Sequence, residues 1–292
     1  SLVLLTETEI WPLFLAGCAA RGIPVALVNG RISQRSFARY RLFGPLMART
    51  LSHVSLFLMQ SQADAGRIRA LGASPDKVRV TGNVKFDLDP QERPELASRI
   101  RFWAAGRLVL LAGSTHDGEE LAILEAWRRM NPRPFLVIAP RRPERFDEVA
   151  GLAAARGIRL ARRSSGGGAA DALLLDTVGE LAPAYGAADA AFIGGSLAAA
   201  GGHNPIEAWA HGVPTLHGPH VSNFREIYEA GMREGASERV ETPRSLAHAA
   251  AQLLADDVER ARRGRQARAL VARNRGAAQA TAEAVLALRK TA

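Results

Sequence analysis

Short apolar runs alternate with longer amphipathic stretches along most of this chain. Leu2–Leu5, Pro24–Asn29, Ser55–Gln60 and Val78–Thr81 are short and apolar, with Leu and β-branched residues prominent, and they read as strands buried on both faces. Between them Pro12–Arg21, Ser33–Leu51 and Ser61–Leu71 read as helices, opened by Pro or Ser. The polar stretch Leu88–Pro94 holds two prolines and is the best linker candidate. The pattern then restarts, with strands at Leu108–Ala112, Phe135–Ala139, Arg159–Ala161, Leu173–Leu175, Ala190–Ile193 and Thr215–His217. Helices are expected at Asp117–Met130, Pro143–Arg156, Glu180–Ala188, Asn204–His211 and Asn223–Ala230, and from Ser245 to the end. Repeated βα units build parallel sheets covered by helices. The expectation is an α/β protein of two doubly wound domains, residues 1–88 and 89–270, with a closing helix at 271–292. Ligands of such sheets bind at the carboxyl ends of strands, so the loops after strands are where chemistry is sought.

Composition narrows the class. Hydrophobic residues make up 47% of the 292, enough to offset chain entropy and exclude a disordered chain. No apolar run approaches the ~18 residues of a membrane span. The single cysteine, Cys18, excludes an intramolecular disulfide and a Cys-based metal site, and points to a reducing compartment. Lys and Arg number 38 against 29 Asp and Glu, a balance that suits a polyanionic partner or follows simply from Arg-rich composition. The chain opens as Ser-Leu-Val-Leu-Leu, with neither Met nor signal peptide, inside a strand. It reads as part of something longer.

Five loops carry candidate chemistry. In Thr6–Pro12, Glu7 and Glu9 follow a strand and precede a helix; acids there suit the helix dipole, or serve as a hydrogen-bond acceptor or base. In Gly113–Glu120, Ser114 can cap a helix with Asp117 closing a capping box, which leaves His116 unexplained and suited to an anion. Arg141, Arg142 and Arg145 offer forked donors for phosphate or carboxylate, or a solvated basic surface. The richest loop reads Gly194-Gly-Ser196, then Gly201-Gly-His-Asn-Pro-Ile-Glu207. Asn204 fits an N-cap, Pro205 the first helical position and Glu207 the third, so Glu207 completes a capping box or accepts ribose hydroxyls beside an anion cradle at Gly201–His203. Gly218–Asn223 repeats that logic more weakly. No P-loop and no G-x-G-x-x-G follows a strand, which argues against those nucleotide folds. Asp87-Leu-Asp89 has the spacing of a metal-binding D-x-D, but beside Pro90 it reads as solvated polar sequence.

Taken in order, Thr8–Pro12, Asn29–Ser33, Thr81–Asp87, Gly113–His116, Ala139–Arg141, Gly201–Glu207, Gly218–His220 and Asn223-Phe224 resemble the bacterial Kdo (3-deoxy-D-manno-octulosonic acid) transferases of lipopolysaccharide synthesis. The resemblance runs from about Leu5 to Ala230. It implies a GT-B fold, two Rossmann-like domains with an interdomain cleft. It implies transfer of Kdo from CMP-Kdo to a lipid A precursor, with no metal ion and no cofactor beyond the donor. Carried over by motif, Ser114, Thr115, His116 and Arg141 hold phosphate or the sugar acid's carboxylate; Glu207 binds ribose; Gly201, Gly202, His203 and Asn204 lie near the phosphate, with Asn223 beside them. Glu9 lines the cleft in a supporting place, because the family's proposed base belongs to a segment that matches nothing in this chain.

The basic excess then gains a purpose. Arg31, Arg35, Arg39, Arg41 and Arg49 occur without an intervening acid, interleaved with Phe37, Tyr40 and Phe43. That pattern suits a phosphorylated lipid or the anionic cytoplasmic face of the inner membrane rather than nucleic acid. The alternatives are a sugar-nucleotide 2-epimerase of the same fold and a non-catalytic nucleotide- or lipid-binding module.

Overall fold

The computed structural model describes residues 1–88 and 93–291, so Asp89 and the centre of the expected linker lie outside the described residues. The chain divides into two compact units, residues 1–87 with 272–292, and residues 88–271.

The first unit contains β1 (Val3–Thr6), α1 (Pro12–Ala20), β2 (Val25–Gly30), α2 (Gln34–Arg41), α3 (Gly44–Ser52), β3 (Leu56–Met59), α4 (Gln62–Ala70) and β4 (Val78–Val80). Its strands are all parallel, in the order β1-β2-β3-β4. Successive side chains of a strand point to opposite faces. Val25, Leu27, Phe57 and Met59 accordingly join Leu15, Met47, Leu51 and Ile68 in one core, while Ala26, Val28, Leu56 and Leu58 form another. The second face is covered by Ala284, Val285 and Leu288 of the chain's final helix. That helix is therefore part of the first unit, whereas the sequence reading set 271–292 apart. Asp87 fixes it there by accepting the N–H groups of Gly276 and Ala278 at 2.5 and 2.6 Å. Asp87 is thus an anchor for a helix start, not the solvated residue expected. The single helix expected over Ser33–Leu51 is two, α2 and α3, separated at Leu42-Phe43 just before Gly44-Pro45. Proline has no N–H to bond the Arg41 carbonyl four residues back and its ring crowds that carbonyl, so the incoming helix ends at Arg41, whereas Pro45 is tolerated in the first turn of α3.

The second unit contains α5 (Pro94–Ala104), β5 (Val109–Thr115), α6 (Glu119–Arg128), β6 (Phe135–Pro140), α7 (Phe146–Ala154), β7 (Leu160–Arg162), β8 (Ala172–Leu174), α8 (Leu181–Ala184), β9 (Ala190–Ile193), α9 (Ile206–Ala210), β10 (Thr215–His217), α10 (Arg225–Arg233), β11 (Ser237–Arg239) and α11 (Pro243–Ala255). The expected C-terminal helix is three: α11, α12 (Asp257–Asn274) and α13 (Ala277–Thr291). The seven strands are parallel in the order β11-β10-β9-β5-β6-β8-β7. Chain order thus reverses between β5 and β9, the doubly wound arrangement. Leu110, Ala112, Leu136, Ile138 and Phe192 face α6, α7 and α11, and Val109, Leu111, Phe135, Val137 and Ile193 face α5, Tyr185 and Tyr228. Burying both faces explains why these strands are nearly continuous apolar runs. α5 and β11 were not read from the sequence.

Candidate functional site

In an open α/β sheet the crevice for a ligand lies at the strand carboxyl ends, where strand order reverses. Here that point falls between β5 and β9, where the end of β5 with its following turn, Gly113–Gly118, meets the Gly194–Ala200 loop that leaves β9. They approach so closely that a Cβ on Gly194 would lie 2.3 Å from the Ser114 carbonyl oxygen. Ser114 itself holds a left-handed backbone, φ 55°.

The polar groups of these loops are largely spent on one another. The Glu119 carboxylate, on the first turn of α6, accepts N–H groups from His116 (2.9 Å), Gly195 (2.7 Å), Ser196 (2.9 Å), Leu197 (2.8 Å) and Ala198 (3.1 Å). The next loop is tied to the same segment: Gly202 N–H donates to Gly195 O at 2.7 Å, and His203 N–H to Gly194 O at 3.2 Å. The N–H groups of Gly218 and His220 donate to the Ser196 hydroxyl and carbonyl oxygens at 2.8 and 2.9 Å. The Gly201–His203 turn is therefore not the anion cradle expected, because its Gly202 and His203 N–H groups are taken by backbone carbonyls.

What remains is a set of side chains. His116 and His203 face each other, Nε2 to Nε2 at 2.7 Å, with rings stacked 5.0 Å apart. One imidazole must donate and the other accept. Tyr228, fully buried, fixes the His203 backbone by donating its hydroxyl to His203 O at 2.8 Å. Burial, and then the positive charges of His116 and Arg141, lower the His203 pKa to about 4. Burial raises the Glu207 pKa above the usual carboxylate value, opposed by the Arg141 charge. Burial, and then the Glu207 charge, push the Tyr185 phenol upward. Among the described residues neither the Glu207 carboxylate, the Arg141 guanidinium nor the Ser114 hydroxyl has a hydrogen-bond partner. A desolvated acceptor, an arginine and an imidazole pair suit a ligand carrying both hydroxyls and a negative charge.

Several sequence expectations change. Ser114 does not cap α6, which starts five residues later behind Gly118, and Asp117 pairs with Arg145 at 3.1 Å. Thr115 is fully buried and its hydroxyl donates to Glu120 at 3.1 Å, so it faces the interior rather than a ligand. Arg145 is held by Glu120, Asp117 and Glu148. Asn204 is not the N-cap: α9 starts at Ile206 behind Pro205, and the Asn204 side chain, one residue further out, accepts the Ile206 N–H at 3.1 Å while Glu207 takes no part. Asn223 is exposed and its amide donates to Ala200 O at 3.2 Å. The sequence reading missed Glu119. A glutamate three residues after His116 was the available signal, since that spacing lets the side chain return to the His116 N–H.

In the first unit Glu9 is exposed and accepts the Trp11 indole N–H at 2.7 Å. Glu7, with φ 60°, pairs with Lys85 at 2.9 Å. Arg31 follows β2, while Arg35, Arg39 and Arg41 are exposed on α2, with the Arg41 guanidinium 5.7 Å from the Phe37 ring centre. Among the described residues no three His, Cys, Asp or Glu side chains converge as a metal site, and no helix is long and apolar enough to cross a membrane.

A family model described as 3-deoxy-D-manno-octulosonic-acid transferase (kdotransferase) matches residues 1–88. A protein of that name from Bordetella pertussis is 38% identical over 97% of this chain and 68% of its own length. Its counterpart from Haemophilus influenzae is 35% identical over 95% of this chain and 67% of its length. Among solved structures, the C-terminal CMP-Kdo binding domain of WaaA from Acinetobacter baumannii matches with TM-score 0.56 and 29% identity, covering 60% of this chain and 97% of that one. The UDP-GlcNAc 2-epimerase of Neisseria meningitidis matches at TM-score 0.63 with 14% identity, over 99% of this chain and 76% of that one, a likeness of fold.

Proposed function

Because this chain belongs to the Kdo transferase family, glycosyltransferases of lipopolysaccharide synthesis, we propose that it moves Kdo from CMP-Kdo to a lipid A precursor of the lipid IVA type without a metal ion. The observation that carries the donor half is the group of side chains gathered at the β5–β9 crevice: Glu207, Arg141 and Ser114, without hydrogen-bond partners among the described residues, and the His116–His203 pair, whose Nε2 atoms bond each other. The likeness to a domain described as binding CMP-Kdo supports it.

Negative charge grows on the CMP phosphate as the glycosidic bond breaks. Arg141 and the imidazole pair supply fixed donors for that charge, the part a metal plays elsewhere. Glu207, short of donors, takes the ribose hydroxyls. The attacking hydroxyl of the acceptor needs a carboxylate base within hydrogen-bond reach. No residue of this chain is assigned that task; Glu9 keeps a supporting place. On the acceptor side, Arg31, Arg35, Arg39 and Arg41 meet phosphorylated lipid at the cytoplasmic face of the inner membrane.

Calorimetric titration tests the donor half. CMP is expected to bind and UDP to bind at least roughly tenfold more weakly, a difference of ~1.4 kcal/mol. Equal or tighter binding of UDP would overturn the reading in favour of an epimerase-like site. Transfer from CMP-Kdo to lipid IVA that stops on adding EDTA would remove the metal-free part.

A further inference from the structure

Glu119 has no counterpart in the donor-binding set just described, yet it makes more hydrogen bonds than any side chain in it. We infer that Glu119 is a positioning residue: its carboxylate is a built-in anion that holds the donor loops in a ligand-ready arrangement before any ligand arrives. Naming CMP as the ligand rests on the donor reading above; the role of the carboxylate does not.

The geometry carries this. Glu119 is 2% exposed. An ionised carboxylate so far from water needs compensation. Among the described residues no cation pairs with it; the nearby Arg145 turns to Glu120 instead. Compensation comes from five backbone N–H groups, His116 and Gly195–Ala198, at 2.7 to 3.1 Å. Successive N–H groups converging on one point form an anion-binding concavity. Phosphate-binding loops present such a concavity to the ligand; here the chain's own carboxylate fills it.

Two consequences follow. The ligand's phosphate is excluded from this nest and is left to the side chains Arg141, His116 and Ser114. The loop is also fixed in the empty protein, because its N–H dipoles would repel one another without an anion at their focus. From that loop the other site segments hang: Gly195 O takes the Gly202 N–H, and Ser196 takes the Gly218 and His220 N–H groups. Both imidazoles depend on it, His116 through its own N–H and His203 through Gly194 O. Ordering done in advance is ordering that binding need not supply.

Glu119→Gln keeps the volume and removes the charge, and it turns an NH2 group toward N–H donors. Glu119→Ala empties a space the size of a small carboxylate. Glu120→Gln is the control, since Glu120 faces Thr115 and Arg145. In the 292-residue chain, amide exchange at Gly195–Ala198 is expected to quicken roughly tenfold or more in both Glu119 variants and not in Glu120→Gln, with CMP affinity falling by a similar factor. Sodium formate is expected to slow that exchange again in Glu119→Ala, and not in Glu119→Gln, where the space is filled. Unchanged amides in folded Glu119→Gln would overturn the inference, as would a Glu119→Ala protein on which formate has no effect. Should Glu119→Ala fail to fold, the Glu119→Gln exchange rates decide alone. Failure of the unmutated chain to bind CMP would overturn the donor reading and leave the exchange test standing.

Discussion

The strand ends of the two units dispose of their polar groups differently. In the first unit those groups consume one another. Glu7 meets Lys85 at 2.9 Å, Asn29 Oδ1 takes the Val84 N–H at 3.2 Å, Thr8 donates to Arg31 O at 2.6 Å, and buried Asp64 takes the Ile32 N–H at 2.8 Å. Beside them that unit exposes apolar and cationic side chains: Trp11 just before α1, Leu13 and Phe14 on it, Leu42, Phe43 and Leu46 around the start of α3, and the arginines of α2. In the second unit one carboxylate, Glu119, settles the backbone, and Glu207, Arg141 and Ser114 stay without hydrogen-bond partners among the described residues. A polar residue after a strand is therefore no ligand group by default. The candidates are those left over once the backbone has been satisfied.

The largest expected effect tests whether acid acts on the second unit alone. His203 and His217 both lie there, and burial lowers each to about 4. His217 is fully buried, its Nδ1 2.8 Å from the Ser237 hydroxyl. The unfolded chain takes up a proton near pH 6.5 and the folded chain only near 4, so stability is full above 6.5 and is lost as pH falls towards 4. For His217 the slope approaches about 1.4 kcal/mol per pH unit, and it is smaller for the partly exposed His203. Urea unfolding at pH 7 and pH 5 should show a clear drop in the second unit's transition, flattened by His217→Asn. A second unit equally stable at both would break this part of the comparison.

Next in size is the separation of binding from folding at Glu207. Its folded pKa is raised, so its ionised form costs stability as pH climbs past the ordinary carboxylate value. Glu207→Gln should leave the melting temperature at pH 7 unchanged or slightly higher. CMP binding should weaken by roughly 1.5–3 kcal/mol, the worth of a charged hydrogen bond. Calorimetry paired with thermal melts checks both, and a folded variant with undiminished affinity would return Glu207 to the merely structural residues. His116→Ala follows, with Kdo transfer expected to fall about tenfold, a barrier change of ~1.4 kcal/mol. Release of CMP from CMP-Kdo is the measurement, and near-normal turnover would show that the imidazole pair serves packing alone.

These contrasts were partly legible in the sequence. β9 is legible with the bounds it has, because a strand buried on both faces announces itself as an apolar run. β11 hides because Ser237-Glu238-Arg239 is an edge strand with polar side chains. α5 hides behind the proline that opens it, which is the last residue of the expected linker Leu88–Pro94. The break between α2 and α3 was available at Pro45 and was overridden by the long arginine-rich pattern. In the site, the loops were found because glycines and a lone histidine after a strand are local signals. The spending of their N–H groups was not, since Glu119 reaches partners 76 to 79 residues away and His116 meets His203 across 87. Pairings at that distance follow from strand order, which a linear pattern does not reveal.

The smallest expected effect concerns the first unit's own surface. On α2, Arg35 and Arg39 are four residues apart and share a face. Phe37 and Tyr40 lean on the core, so the arginines are held outward, and Arg41 stays near the Phe37 ring. Leu42, 81% exposed, and Phe43, 58% exposed, stand directly after them. Cations beside exposed apolar side chains match the headgroup and upper acyl layers of an anionic membrane. Each arginine near such a surface is worth about 1 kcal/mol, so Arg39→Ala should weaken vesicle binding roughly fivefold. Phe43→Ser should weaken it too, with one difference: its loss persists at high salt, whereas the Arg39 contribution fades as the surface potential is screened. Sedimentation with phosphatidylglycerol and phosphatidylcholine vesicles at two salt concentrations separates the two. Binding indifferent to lipid charge and to salt would strip α2 of a lipid role and leave its arginines as a solvated helix face.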